Sequence, residues 1–156
     1  GLEYERIPSR EQRELADWLM RQGVDLVIGS HPHVVQPMEL RRGKEGVPDR
    51  LVVYSLGNFI SNMSREHTDG GVMVKVVLGR KGLRRYIASA QYSLIYSSRY
   101  KNEQGKEDIR VVPAASWSGK NQNSSFSVDS ALIKYVNNTR LFLKGNNKEV
   151  EEYIFE

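Results

Sequence analysis

The stretch Val24-Asp25-Leu26-Val27-Ile28-Gly29-Ser30-His31-Pro32-His33 decides how this chain is read. Its first half is short and nearly continuously apolar, the pattern of a strand buried on both faces rather than one with a wet side. Gly29 ends the run. Two histidines at i and i+2 then follow in the loop beyond the carboxyl end of the strand, where open α/β sheets place their ligand sites. Alternate positions on extended backbone point the same way, so imidazoles at this spacing can converge on a metal or a metal pair. Pro32 fixes its own φ and pushes His31 toward extended conformations, which pre-orders the pair. The competing reading is a polar turn. Of three histidines in the chain two stand here, directly after an apolar strand, and this favours the ligand reading.

Upstream, Ser9-Arg10-Glu11-Gln12 is a Ser-x-x-Gln capping box, and Leu15, Ala16, Leu19 and Met20 recur at helical spacing until Gly23. A helix is predicted over residues 10–22. A helix feeding a buried strand is half of an α/β unit.

Downstream, residues 34–40 can be extended, and a polar turn over residues 42–49 leads to the strand Leu51-Val52-Val53-Tyr54-Ser55-Leu56. That strand also ends at a glycine, and Gly57 presents Asn58, whose amide can bind a metal, a phosphate or a backbone carbonyl, or simply occupy a turn. A second hairpin follows, with strands at residues 72–78 and 83–96 around a tight turn at 79–82; Tyr86, Ala88, Ala90, Tyr92, Leu94 and Tyr96 share one parity of its returning strand. Residues 97–108 read as a loop, 109–112 as a short strand ended by Pro113, and 116–127 as an exposed polar segment. A helix capped by Ser127 or Asp129 is expected to run to about Leu143, with a last short helix at 148–155. The fold class is α/β or α+β, a mixed sheet with antiparallel hairpins.

The chain has 156 residues, room for one domain with a real core. Its composition is that of an ordinary globular protein, and no apolar run approaches the ~20 residues that span a bilayer. Zero cysteines exclude a disulfide scaffold, a Cys-ligated metal and thiol catalysis. Lys+Arg 23 against Asp+Glu 19 gives +4, but the basic residues are scattered except near Arg41-Arg42 and around residues 80–85, so nucleic acid is not an expected partner. His67 stands alone in a polar run and carries no signal, and neither do Glu3 and Tyr4 taken by themselves.

At Gly1-Leu2-Glu3-Tyr4, Pro8, Gln12 and Ala16, at residues 23–36 with Glu39, and at Val53-Tyr54-Ser55-Leu56-Gly57-Asn58-Phe59, the sequence resembles the bacterial capsule-synthesis or poly-γ-glutamate-synthesis proteins of the CapA type, a branch of the calcineurin-like metallophosphoesterase superfamily. The resemblance covers about the first 60 residues and, more loosely, the later hairpin. It implies the C-terminal portion of a four-layer α/β/β/α sandwich, residues 1–156 forming a single region whose N-terminal half is absent, since the family's His-x-Gly-x-Glu-Tyr motif is entered here at Gly1.

It further implies His31 and His33 as ligands of one or two divalent metal ions, with Glu3, Tyr4, Ser30 and Asn58 beside the substrate and the catalytic residues unassigned. The superfamily's Asp-x-His, Gly-Asp and Asn-His ligand motifs do not occur in the chain, so the site is expected to be incomplete and this stretch alone inactive. Two functions follow as expectations: a metal-dependent hydrolase acting on a phosphoester or an envelope polymer, or a non-catalytic envelope protein that organises an anionic polymer during capsule assembly. The implied partners are that polymer or phosphoester and other capsule-synthesis proteins. The implied location is the extracytoplasmic cell envelope, and an open sheet edge would favour a homo-oligomer.

Overall fold

A computed structural model describes residues 1–43, 45–115 and 130–154. The expected capping box forms at the start of α1 (Arg10–Arg21): the Gln12 amide N–H donates to Ser9 Oγ at 3.3 Å, and the Ser9 amide donates back to Gln12 Oε1 at 3.0 Å. Such a cap stabilises a helix by ~1 kcal/mol. Gly23, at φ +95, turns the chain out of the helix as only glycine does freely.

Three strands follow: β1 (Leu26–Ile28), β2 (Met38–Arg42) and β3 (Pro48–Val53). They form one sheet in the order β1-β3-β2, with β1 parallel and β2 antiparallel to β3. The two-residue period of β3 divides its side chains. Val52 and the following Tyr54 pack with Ala16 and Met20 of α1, whereas Leu51 and Val53 face a larger core shared with the second sheet. Burying each such Val or Leu contributes ~1.5–3 kcal/mol.

The second sheet is organised around β5 (Arg84–Lys101). β4 (Gly70–Lys81) pairs antiparallel along one edge, while β6 (Glu107–Pro113) and the short β7 (Glu151–Glu152) share the other. α2 (Ser130–Asn146) adds Leu132, Tyr135, Val136 and Leu143 to the common core. The Tyr135 hydroxyl donates to the Gly71 carbonyl at 3.2 Å, and its burial pushes the phenol pKa well up. The sheets are stitched where the chain leaves β3: the Val72 amide donates to the Leu56 carbonyl at 2.8 Å, and the Asn58 amide to the Gly70 carbonyl at 3.0 Å. The architecture is α+β with mixed sheets, in agreement with the fold class read from the sequence.

Four local expectations change. β1 is not buried on both faces: Leu26 and Val27 are half-buried and Ile28 is 47% exposed, because among the described residues β1 is an edge strand with β3 as its one neighbour. In β5 the single-parity tyrosine–alanine face is interrupted. The pairing jumps from Val77↔Ser89 to Leu78↔Ile87, and this bulge turns Ala88 outward and Ile87 inward. Residues 97–101 continue β5 instead of forming a loop, since the polar strand end is paired by β6. Residues 151–152 form β7 rather than a helix, the Tyr153 amide donating to the Tyr92 carbonyl at 2.6 Å. The proposed caps Ser127 and Asp129 and the polar segment 116–127 lie outside the described residues.

Candidate functional site

The site begins with a close approach. The Gly29 amide donates to the Val53 carbonyl at 2.8 Å and its carbonyl accepts from Leu56 at 2.9 Å, so the end of β1 is clamped against the end of β3. A Cβ at position 29 would lie 2.3 Å from the Tyr54 carbonyl oxygen, which is why glycine stands there. The following turn is secured from the N-terminal segment by the Tyr4 amide, which donates to the Pro32 carbonyl at 2.8 Å. Tyr4 and His33 both adopt left-handed backbone, at φ 68 and φ 62, a conformation that costs a non-glycine residue ~1–2 kcal/mol. Strain of this kind persists where the surroundings over-determine it, and it concentrates at functional sites.

His33 is then oriented by Asn58. The Asn58 Nδ2 group donates to the Thr68 carbonyl at 2.8 Å and to Ser61 Oγ at 3.2 Å. This fixes Oδ1 as the atom facing His33 Nδ1 at 3.0 Å. A carbonyl oxygen can only accept, so Nδ1 carries the proton and the lone pair of the neutral ring resides on Nε2. Nε2 faces Glu3, whose nearest carboxylate oxygen is 4.0 Å away. The Tyr4 ring stacks on the His33 ring with centroids 6.0 Å apart and planes 23° apart, and the His31 ring centroid lies 6.4 Å from that of His33.

The histidine pair His31 and His33, Asn58, and the Glu3 and Tyr4 implied by the resemblance are thus brought to one place. Ser30 borders a small cavity with His31 but is not hydrogen-bonded to the cluster. Its hydroxyl makes no hydrogen bond among the described residues, and the residue lines an apolar cavity of about 450 Å³ with Ile28, Leu56 and Phe59. Sequence reasoning missed Arg65, whose guanidinium carbon lies 4.2 Å from the centre of the Tyr4 ring. Nothing in a polar loop marks one arginine as a partner of a tyrosine so distant in sequence. His67, passed over in the sequence, lines a cavity with Arg65; burial, followed by the charge of Arg6, holds its pKa below the ordinary histidine value.

For a resident metal ion the donor set is the test. His33 Nε2 is presented as a ligand nitrogen should be, with the other ring nitrogen tied to an oxygen. Yet among the described residues no three His, Asp or Glu side chains gather closely enough to hold a metal ion. Two imidazoles and a carboxylate at these separations do not by themselves fit a one-metal or two-metal centre.

Residues 1–63 match the family model described as bacterial capsule synthesis protein PGA_cap. The PGA biosynthesis protein CapA of Bacillus subtilis (strain 168) is 34% identical over 86 residues, 55% of this chain and 21% of the relative. The capsule biosynthesis protein CapA of Bacillus anthracis is 34% identical over 82 residues, 53% of this chain and 18% of the relative. The matched stretch therefore spans about a fifth of either relative's length. No solved structure matches the chain. Its first 63 residues, which carry the His31–His33 turn and Asn58, are thus similar to the CapA-type bacterial capsule-biosynthesis proteins.

Proposed function

We propose that the chain works in capsule or poly-γ-glutamate biosynthesis, and that the cluster around His33 is the part of a hydrolytic site which this stretch supplies to a longer protein. The substrate is a phosphoester or a linkage of an anionic envelope polymer, met at the extracytoplasmic face alongside other capsule-synthesis proteins. The observation that carries this reading is the Asn58-oriented imidazole: its Nδ1 is committed at 3.0 Å, which leaves Nε2 open toward solvent and Glu3. An imidazole fixed in one tautomer is suited to accept a proton from water or a hydroxyl, or to ligate a metal. His31 would present a second imidazole, and Tyr4 and Glu3 would border the ligand. A divalent metal ion there would need donors beyond the described residues.

A second reading is favoured by that same shortage of donors: a site that binds and orders an anionic polymer without cleaving it. One experiment separates them. Full-length protein is purified in buffer supplemented with zinc and manganese and its metal content measured, beside the double variant His31→Ala, His33→Ala. The hydrolase reading expects bound divalent metal in the wild type and its loss in the variant. Wild-type protein free of metal after this treatment contradicts the metal-dependent hydrolase reading and favours the polymer-ordering one.

A further inference from the structure

A cavity of about 700 Å³ opens beside the His33 cluster, between the loop at residues 61–69, β5 and α2. Its floor is fixed rather than loose. Thr68 Oγ1 donates to the Arg65 carbonyl at 2.6 Å, the Ser61 amide to Ser97 Oγ at 3.1 Å, and the Ser97 amide to the Asp69 carbonyl at 2.8 Å. His67 is held at φ 67, a further left-handed residue in the same loop.

Three cations line this cavity in different states of engagement. The Arg65 guanidinium rests on the Tyr4 ring and makes no hydrogen bond or ion pair among the described residues. Arg99 forks onto the side-chain and main-chain oxygens of Asn62 at 2.7 and 3.0 Å and forms no ion pair among the described residues, although it borders a second cavity with Glu107 and Asp108. Lys134 pairs with Glu66 at 3.4 Å, but both side chains are mostly exposed, and an ion pair of that kind is worth under ~1 kcal/mol and is readily surrendered to a ligand. Beneath them, half-buried Arg6 stacks on the Phe142 ring at 3.8 Å, with its Nε buried and unpartnered. Against these four cations stand Glu66 and Asp69. A walled concavity with surplus positive charge raises the local concentration of anions.

We propose that this cavity is an anion-binding subsite, with Arg65 and Lys134 as its principal contacts, that takes a carboxylate or phosphate group of a ligand whose neighbouring unit lies at His33. The inference rests on the polymer-handling reading above and deepens it. Arg65 and His33 each contact the same Tyr4 ring, so the two positions are separated by one phenol. Ser61 lines the cavity and also accepts a hydrogen bond from Asn58, so they share a wall. A ligand filling both must extend over more than one unit with an anionic group at Arg65, which selects an anionic polymer over a simple monoester.

The test is calorimetric titration of full-length protein with glutamate, with a γ-linked glutamate hexamer and with inorganic tripolyphosphate, at low and moderate salt. The hexamer is expected to bind at least about tenfold more tightly than the monomer, and Arg65→Gln with Lys134→Gln to lose about tenfold, equivalent to ~1.4 kcal/mol. Glu66→Gln, which releases Lys134, is expected to strengthen binding. Arg65→Lys, which keeps the charge, should recover part of the loss and shows that the fold is intact. Preference for tripolyphosphate over the hexamer supports the subsite and assigns it to phosphate. Equal hexamer affinity in wild type and double variant overturns the subsite, as does the absence of binding by any of the three anions. If His31→Ala, His33→Ala leaves hexamer binding and metal content unchanged while the Arg65 effect remains, the polymer-handling reading fails and the subsite stands.

Discussion

Glu39 and His33 are near neighbours in sequence, yet they belong to opposite kinds of polar cluster. Glu39 is 6% exposed and saturated: Arg41 Nη2 donates to it at 2.9 Å, Lys148 Nζ lies at 3.2 Å and Arg13 at 3.8 Å. Arg41 in turn reaches Asp17 of α1 and the Tyr54 hydroxyl. Each charge there is paired with another around the buried Glu39 carboxylate, and the cluster ties α1, β2 and the segment before β7 together. Around His33 the bonds run one way. Asn58 is committed to Thr68, Ser61 and His33, whereas His33 Nε2, the Glu3 carboxylate and the Arg65 guanidinium face outward. A closed polar cluster holds a fold together; one that is braced from behind and open in front is built to meet something else.

The sharpest way to break this contrast is Glu39→Gln. Removing the buried carboxylate that Arg13, Arg41 and Lys148 share should cost about 3 kcal/mol, as for a broken buried ion pair, measured by urea unfolding. A loss under about 1 kcal/mol, typical of exposed pairs, would make the cluster no more structural than the open one.

Gly29→Ala should follow at about 2 kcal/mol, because the new methyl meets the Tyr54 backbone and not a flexible side chain. It should also shift the ring signals of His31 and His33, whereas an unchanged spectrum would show that the turn is not placed by the β1–β3 clamp.

Asn58→Ala is expected to cost only ~1 kcal/mol of stability. Its larger effect is on the imidazole, since His33 should lose its single tautomer and become a mixture.

The smallest effect concerns pH. Burial lowers the pKa of His67, so the unfolded chain binds a proton more readily than the folded one. The stability linked to this residue is complete above the ordinary histidine value and is lost as pH falls through the lowered folded one. Between about pH 7 and pH 5 the wild type should therefore lose slightly more stability than His67→Asn, a replacement that tolerates the left-handed backbone. Parallel pH profiles would remove this coupling.

Much of this architecture is legible in the sequence because it rests on local chemistry. The Ser9–Gln12 box, the apolar alternation of β3 and β4 and the glycines beyond β1 and β3 all speak through nearest neighbours. The histidine turn was visible for the same reason. What the residues alone did not give depends on who lies next to whom. Leu26-Val27-Ile28 reads as a central strand, and its place at a sheet edge is decided by the strands around it. The bulge at Ala88 reverses a parity that the one-dimensional pattern reads as unbroken. Residues 97–101 are polar in composition and become strand because β6 pairs with them. Arg65 became part of the site only when the 61–69 loop folded back over Tyr4.

The chemistry of this site turns on one nitrogen. Nitrogen-15 NMR of the His33 ring in full-length protein near neutral pH reads its tautomer directly. A proton on Nδ1 and a bare Nε2 in wild type, becoming a mixture in Asn58→Ala, is the predicted result. A ring that carries its proton on Nε2, or that is indifferent to Asn58, would contradict the reading of His33 as an imidazole held ready to act.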